Sequence, residues 1–397
     1  MDLFNEISMY YAKRTNWNLA PNTLTRLTED LRQAGGSFLD LTESNPTHCG
    51  FSYPGKQILN ALAKTDNLDY SPSARGLVTT RETICHYYQE RGIAIDPQNI
   101  FLTSSTSEAY SFLFRLLADP GDKILLPTPS YPLFEFLCGL NDLSTSTYQL
   151  VYDHNGWRPD LEKFRQSIEG DPRAIVLVNP NNPTGSFIQE GDFVVLNALC
   201  QERHIPIISD EVFFDYGYDW DRKYFSALHQ AETLSFVLGG VSKSLGLPQM
   251  KLSWIIINGP DEIVLETSRR LEIIADTYLS ASIPIQNALR EWFKLQPFIQ
   301  KKIKERVSVN RQWLCEQIAQ KEDCQYLKAD GGWYAILKLP PTIQEEEFVI
   351  SLLKNDHILV YPGYYFDFAD SPYIVMSLLP RLEDFKKAGT KILERIT

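Results

Sequence analysis

Histidine and cysteine are scarce, six of each in 397 residues, and the cysteines at 49, 85, 138, 200, 315 and 324 form no CxxC pair and no cluster with the histidines. That spacing excludes a zinc ligand set and a disulfide framework, so no metal is expected and the cysteines read as reduced, buried thiols. Basic charge is also short, with 38 Lys and Arg against 50 Asp and Glu and a net charge of −12. A nucleic-acid partner is therefore not expected, because phosphate binding needs clustered cations. No apolar run approaches the roughly 20 residues of a membrane span. The opening MDLFNEISMYYAKRTNW lacks the apolar stretch of a signal peptide. With no repeat, low-complexity tract or long linker either, the expectation is a cytoplasmic protein with no membrane partner.

What is present is a globular composition, 44% hydrophobic and 22% charged, in a chain long enough for two domains. Leu24, Leu27 and Leu31 recur at helical spacing until Gly35-Gly36 stops them, which marks an N-terminal arm. From residue 99 short apolar strands alternate with helical patterns, the signature of a parallel α/β sheet covered on both faces. The spacing predicts strands at 100–102, 123–126, 174–178, 206–210, 235–238 and 254–258, and helices at 108–117, 161–168 and 193–203. Beyond Pro260 come helices at 261–275 and 298–321. The strands WYAIL, HILVY and YIVMSLL follow, with helices at 345–353 and 382–396. The fold class expected is α/β: a large domain with a mostly parallel, doubly wound sheet at 46–280, and a smaller α+β domain at 281–397 joined by the arm at 1–45.

Ligands of an open α/β sheet bind beyond the carboxyl ends of its strands. Four such loops carry polar chemistry. TSSTSEA offers Ser104, Ser105 and Thr106 at a helix start, which suits an anion and equally suits an ordinary helix cap. NPNNPTG places Asn182 in a turn richer in Asn-Pro than tightness alone requires. Asp210 ends an apolar strand, where a buried carboxylate needs a partner. VSKSLGLPQMKLSW holds Lys243 in a small-residue turn between apolar strands, with Ser242 beside it and Lys251 eight residues on. A phosphate cradle, an amide, a carboxylate and a lysine together match the requirements of pyridoxal 5′-phosphate. Its lysine must be neutral to act, so a pKa well below the usual ~10.4 is expected from burial and nearby cations.

The motifs YSPSARGL, TSSTSEAYSFLFRLLADPGDKILLPTPSYPLFE, NPNNPTG, SDEVFFDY, VSKSLGLPQMKLSW and GGWYAIL resemble, in order and spacing, those of fold-type I enzymes of the class I/II aminotransferase family. The resemblance implies a pyridoxal-phosphate aminotransferase with an amino donor and a keto acceptor. It casts Lys243 as the Schiff-base lysine and Asp210 as the partner of the ring nitrogen. Asn182 becomes the donor to the phenolic oxygen and Tyr131 the stacking aromatic. Ser104, Ser105, Thr106, Ser242 and Lys251 are implied as phosphate contacts. Tyr70 resembles a tyrosine that reaches the phosphate of the other subunit, which implies a homodimer with the site at its interface.

Three positions depart from the resemblance. Lys251 stands where an arginine is usual and lacks its bidentate fork. Phe213 stands where a tyrosine donates to the phenolic oxygen, so the Schiff base is expected to hold its proton to higher pH. Val375 stands where an arginine grips the substrate α-carboxylate. Arg75 and Arg381 are the candidate replacements, and Asn45 and Trp333 complete the substrate-side set. Without that arginine, another pyridoxal-phosphate reaction stays open: elimination, cyclisation, decarboxylation or an oxidase-like process. So does, with less support, a non-catalytic domain of this type.

Overall fold

The computed structural model describes residues 10–319, 321–369 and 372–396, so most of the opening stretch read for a signal peptide lies outside the described residues. The arm contributes β1 (Leu39–Asp40), which runs beside a strand from the far end of the chain. Eight strands follow: β2 (Ile100–Thr103), β3 (Lys123–Thr128), β4 (Ser144–Tyr152), β5 (Trp157–Pro159), β6 (Ala174–Val178), β7 (Ile207–Asp210), β8 (Ser235–Gly240) and β9 (Ser253–Asn258). They form one sheet in the order β2-β9-β8-β7-β6-β3-β4-β5, parallel throughout its centre, with β9 and β5 running antiparallel to their neighbours.

Successive side chains of a strand point to opposite faces, so a strand buried on both sides must be apolar at every position. In β2, β6 and β8 this is seen residue by residue. Ile100, Leu102, Ile175, Leu177 and Val237 enter one core, and Phe101, Ala174, Val176, Phe236 and Leu238 enter the other. Each large aliphatic or aromatic side chain buried in this way contributes roughly 1.5–3 kcal/mol.

The second sheet holds β10 (Gln325–Leu327), β11 (Tyr334–Lys338), β13 (Tyr361–Pro362) and β14 (Tyr373–Ser377) in the order β10-β11-β14-β13, all antiparallel. β12 (Ile358–Leu359) pairs with β1, which ties the arm to this part of the chain. The arm helix Thr23–Gln33 buries Leu24 in the same core, with Leu27 and Leu31 packed against it. The two sheets are linked by a 36-residue helix, Ile283–Ile318, about 54 Å long at 1.5 Å per residue. Ala288, Leu289 and Trp292 at its start pack in the core of the large sheet, and Ile299, Ile303, Val307 and Leu314 in the core of the small one.

Candidate functional site

Strand register brings the predicted loops to one edge. Val178 pairs with Asp210, Asp210 with Leu238, and Gly240 with Ser253, which in turn pairs with Thr103. The turns that carry Ser104 to Thr106, Asn182, Asp210 and Lys243, together with the residues leading into β9, therefore leave the sheet side by side. Lys243 lies in a single helical turn, Val241–Ser244, entered through Gly240. Gly239 is required just before it, because a Cβ there would sit 2.4 Å from Nε1 of the buried Trp254.

Nζ of Lys243 hovers 5.0 Å from the ring centre of Phe213 and 4.9 Å from that of Trp333. Burial lowers its pKa to about 8, against the opposing pull of Asp210. At pH 7.5 about a quarter of the amine is then neutral, against about 0.1% for an ordinary lysine of pKa 10.5. The Tyr216 hydroxyl donates to the Lys243 carbonyl at 2.8 Å, and Gln300 donates to that of Ser244 at 2.8 Å. Asp215 gathers the supporting groups: Tyr87 and Gln300 donate to it at 2.9 and 2.7 Å, and Arg91 forms a buried ion pair with it.

Asp210 is pushed up to about 6 by burial, an effect opposed by donors from the Val212 N–H at 3.1 Å and the Tyr110 hydroxyl at 3.1 Å, and by the Lys243 charge. Its neighbour Glu211 is turned away, held by Ser209, Ser226 and the Ala227 N–H. The alternation of the strand thus separates two adjacent carboxylates, and only Asp210 faces the lysine. Neither Tyr110 nor the Asp215 group was singled out from sequence. Tyr110, four residues after the Thr106 of TSSTSEA, was the readable one, since that helix had to lie on the sheet.

Ser105 caps the helix Thr106–Leu117, accepting from the Glu108 N–H at 3.1 Å. Ser104 spends both of its donors on Glu108, through N–H at 2.7 Å and Oγ at 3.1 Å, and Ser280 donates to the same oxygen at 2.5 Å. An anion would have to compete with this carboxylate for Ser104, whereas the N–H groups of the first helical turn have no intrahelical acceptor. Lys251 is exposed and in the left-handed region, φ +53°. Tyr131 lies near Asp210 and Tyr361, both of which, after burial, raise its pKa. Tyr70 is 81% exposed beside a cavity of about 300 Å³ that Gly76, Leu279 and Ser280 also line.

On the substrate side, Val375 is fully buried on β14, paired with Ile336 and Tyr361, in a cluster with Tyr334 and Phe366. Of the two candidate replacements, Arg75 is occupied elsewhere. Arg75 pairs with Glu272 at 2.8 Å and stacks over Phe101, at the edge of the large sheet. Arg381 is exposed and lies against Gly50. The Asn45 side chain accepts from Thr47 within its own turn. Trp333 is fully buried, edge-on to Phe213 and Tyr216.

A cofactor can be tested against the polar atoms left over. Asn182 Oδ1 and Trp333 Nε1 are buried with no partner among the described residues. Two such orphans beside a lysine of depressed pKa and a carboxylate are costly unless a bound group satisfies them. An aromatic aldehyde with a ring nitrogen and polar substituents offers partners to this mixed set, in which the Asn182 amide accepts through Oδ1 and donates through Nδ2 and the Trp333 indole donates. Among the described residues no group of three or more His, Cys, Asp or Glu could hold a metal.

Comparison with known proteins agrees. The family model described as aminotransferase class I and II matches residues 38–378. The glutamate-pyruvate aminotransferase AlaA of Haemophilus influenzae is 25% identical over 369 residues, 91% of each chain. The alanine aminotransferase of Mycobacterium tuberculosis is 26% identical over 369 residues, covering 90% of this chain and 85% of its own. Among solved structures, an alanine aminotransferase from Pyrococcus furiosus superposes with a TM-score of 0.87 at 23% identity, covering 97% of this chain and 99% of its own.

Proposed function

The chain belongs to the class I and II aminotransferase family, and from that premise we propose which residues carry its reaction. It is a pyridoxal-phosphate-dependent aminotransferase, moving an amino group from a small-molecule donor to a keto acceptor. Bound pyridoxal phosphate supplies an aldehyde that takes up amines and a ring that accepts electrons from the substrate's α-carbon.

Lys243 is the covalent anchor and then the proton carrier. A pKa near 8 lets its amine give up and regain a proton close to neutral pH. Asp210, anionic above about pH 6, holds a proton on the ring nitrogen, and Tyr110 and the Val212 N–H fix the direction of its oxygens. Asn182 orients the phenolic oxygen, Tyr131 covers one ring face, and Phe213 supports the lysine without donating. Ser105, Thr106, Ser242 and Lys251 hold the phosphate, joined by Ser104 if Glu108 yields. Residues 46–280 carry this cofactor half, and 281–397 with the 1–45 arm border the substrate.

The observation that carries the reading is the position of Lys243 Nζ between Phe213 and Trp333, beside Asp210, at the edge where the strand ends meet. Borohydride reduction of the holoenzyme followed by peptide mass mapping tests it. The cofactor mass is expected on Lys243, and its appearance on another lysine refutes the assignment.

We further read the molecule as a cytoplasmic homodimer. Exposed Tyr70 beside an open cavity supports a contact with a second copy. Six unpaired cysteines, and no described helix long and apolar enough to cross a membrane, accord with a reducing compartment. The relatives named above act on glutamate, alanine and pyruvate, all α-carboxylates. Buried Val375, in place of the expected arginine, supports a different way of recognising the substrate at that point.

A further inference from the structure

Val375 is packed among phenols, Tyr334, Tyr361 and Tyr373, two of which lie near carboxylates. The segment Thr42-Glu43-Ser44 leaves β1 and lies against the small sheet, with Thr42 in hydrogen-bonding contact with Tyr361 and Ser44 with Tyr334. Glu43 sits between them with its side chain 31% exposed. Its Oε1 accepts the Asn45 N–H at 2.7 Å and its Oε2 faces His48 Nδ1 at 3.0 Å, so each oxygen keeps room for another donor. The charged groups that bear on Tyr131, Tyr334 and Tyr361 are Glu43, Asp40 and Asp210, all acidic. Of the cations in the bordering segments, Arg75 is held by Glu272, Arg306 donates to the Cys49 and Leu379 carbonyls, and Arg32 faces Asp40 at 3.8 Å; Arg381 is exposed and lies against Gly50.

A carboxylate brought to this wall meets no guanidinium among the residues packed round Val375 and lies close to Glu43. A hydroxyl or ammonium group meets a carboxylate with spare acceptor sites and two phenols. Resting on the reading of Lys243 given above, we infer that the donor is a primary amine whose reacting carbon bears no carboxylate and whose second amine or hydroxyl group is received by Glu43, Tyr334 and Tyr361. Both half-reactions use one site, so the acceptor is an aldehyde or ketone that likewise lacks the carboxylate. In the first half the donor R–CH2–NH3⁺ leaves as R–CHO, its nitrogen and two electrons staying with the cofactor and one water consumed. In the second the acceptor carbonyl takes both, and water is released. No external oxidant enters.

The test is a single-turnover measurement with the holoenzyme, following loss of the visible band of the bound cofactor with 1,4-diaminobutane, propylamine, L-alanine and L-glutamate. The diamine is expected to react with a kcat/KM at least about 100-fold above that of L-alanine, a modest threshold beside the roughly 10⁴–10⁵-fold by which sites reject ligands that leave their polar groups unpaired. Glu43→Gln is expected to lower the ratio of diamine to propylamine about tenfold. Val375→Arg, if it folds, is expected to raise the rate with L-alanine. L-Alanine or L-glutamate reacting as fast as the diamine in the wild type overturns the inference and leaves the lysine assignment standing. An unchanged diamine-to-propylamine ratio in Glu43→Gln overturns the role of Glu43. A Lys243→Ala protein that still turns over at the wild-type rate brings down this inference and the reading it rests on together.

Discussion

Replacing Asp210 with asparagine should make the cofactor-free protein more stable while abolishing transamination. The folded carboxyl keeps its proton to about pH 6, and an unfolded aspartate releases it near the ordinary value of 3.8. Between those values the folded state binds more protons than the unfolded one, so its stability falls as pH rises. The gap of 6 − 3.8 at about 1.36 kcal/mol per unit gives about 3 kcal/mol lost by pH 7.5, of which about 1 kcal/mol is already lost at pH 4.5. Asparagine copies the shape of the protonated acid: its Oδ1 can accept from the Val212 N–H while its Nδ2 donates to the Tyr110 hydroxyl oxygen, and it carries no charge to desolvate. Urea denaturation of the two apoproteins should therefore show Asp210→Asn about 3 kcal/mol more stable at pH 7.5 and only about 1 kcal/mol more stable at pH 4.5. Equal stabilities at pH 7.5, or a difference independent of pH, would refute the claim that desolvation of this carboxylate dominates its energetics. The same variant should lose activity by several orders of magnitude, because nothing then holds the proton on the ring nitrogen.

Other consequences are open to simple measurement. Cofactor capture by the apoprotein should accelerate about tenfold per pH unit below pH 8 and level off above it, since neutral Lys243 is the attacking form; stopped-flow mixing across pH 6–9 measures this. Tyr110→Phe removes a buried hydrogen bond to a charged group, worth about 1.5–3 kcal/mol, and should raise the pKa of Asp210 and weaken cofactor affinity above pH 6 in an equilibrium titration. Asp215→Asn leaves the partly buried Arg91 guanidinium without its counter-charge and should cost about 1–3 kcal/mol in a denaturation experiment, between the exposed and the fully buried cases. Gly239→Ala forces a Cβ onto Trp254, and a cost of about 1–3 kcal/mol is expected from its melting curve.

Much of the large sheet was legible because its strands are buried on both faces and so read as unbroken apolar runs. The predicted spans 174–178 and 254–258 meet β6 and β9 within a residue. β4 was not legible. Its sequence, STSTYQLVY, lies near the edge of the sheet with only Tyr148 buried, and shows neither a continuous run nor a clean alternation. The long helix was predicted from residue 298 and in fact begins at Ile283, running straight through Pro297. Proline removes one helical hydrogen bond, a loss that tertiary packing of Trp292 and Ile299 on either side outweighs here. In the site, the residues whose chemistry is unusual for their surroundings, Lys243 and Asp210, could be picked out singly. Their supports could not. Tyr110 is 100 positions from Asp210, and Gln300 is 56 from Ser244, contacts that no local pattern encodes.

Those separations also set an order of events during synthesis. The Lys243 turn is fastened through its backbone carbonyls to Tyr216 and to Gln296 and Gln300 of the long helix. A nascent chain that has not yet released residue 300 from the ribosome can pair the strands of the large sheet but cannot fix its lysine. The reactive amine is thus positioned late, after the sheet that carries it, as expected when contacts distant in sequence wait on loop closure.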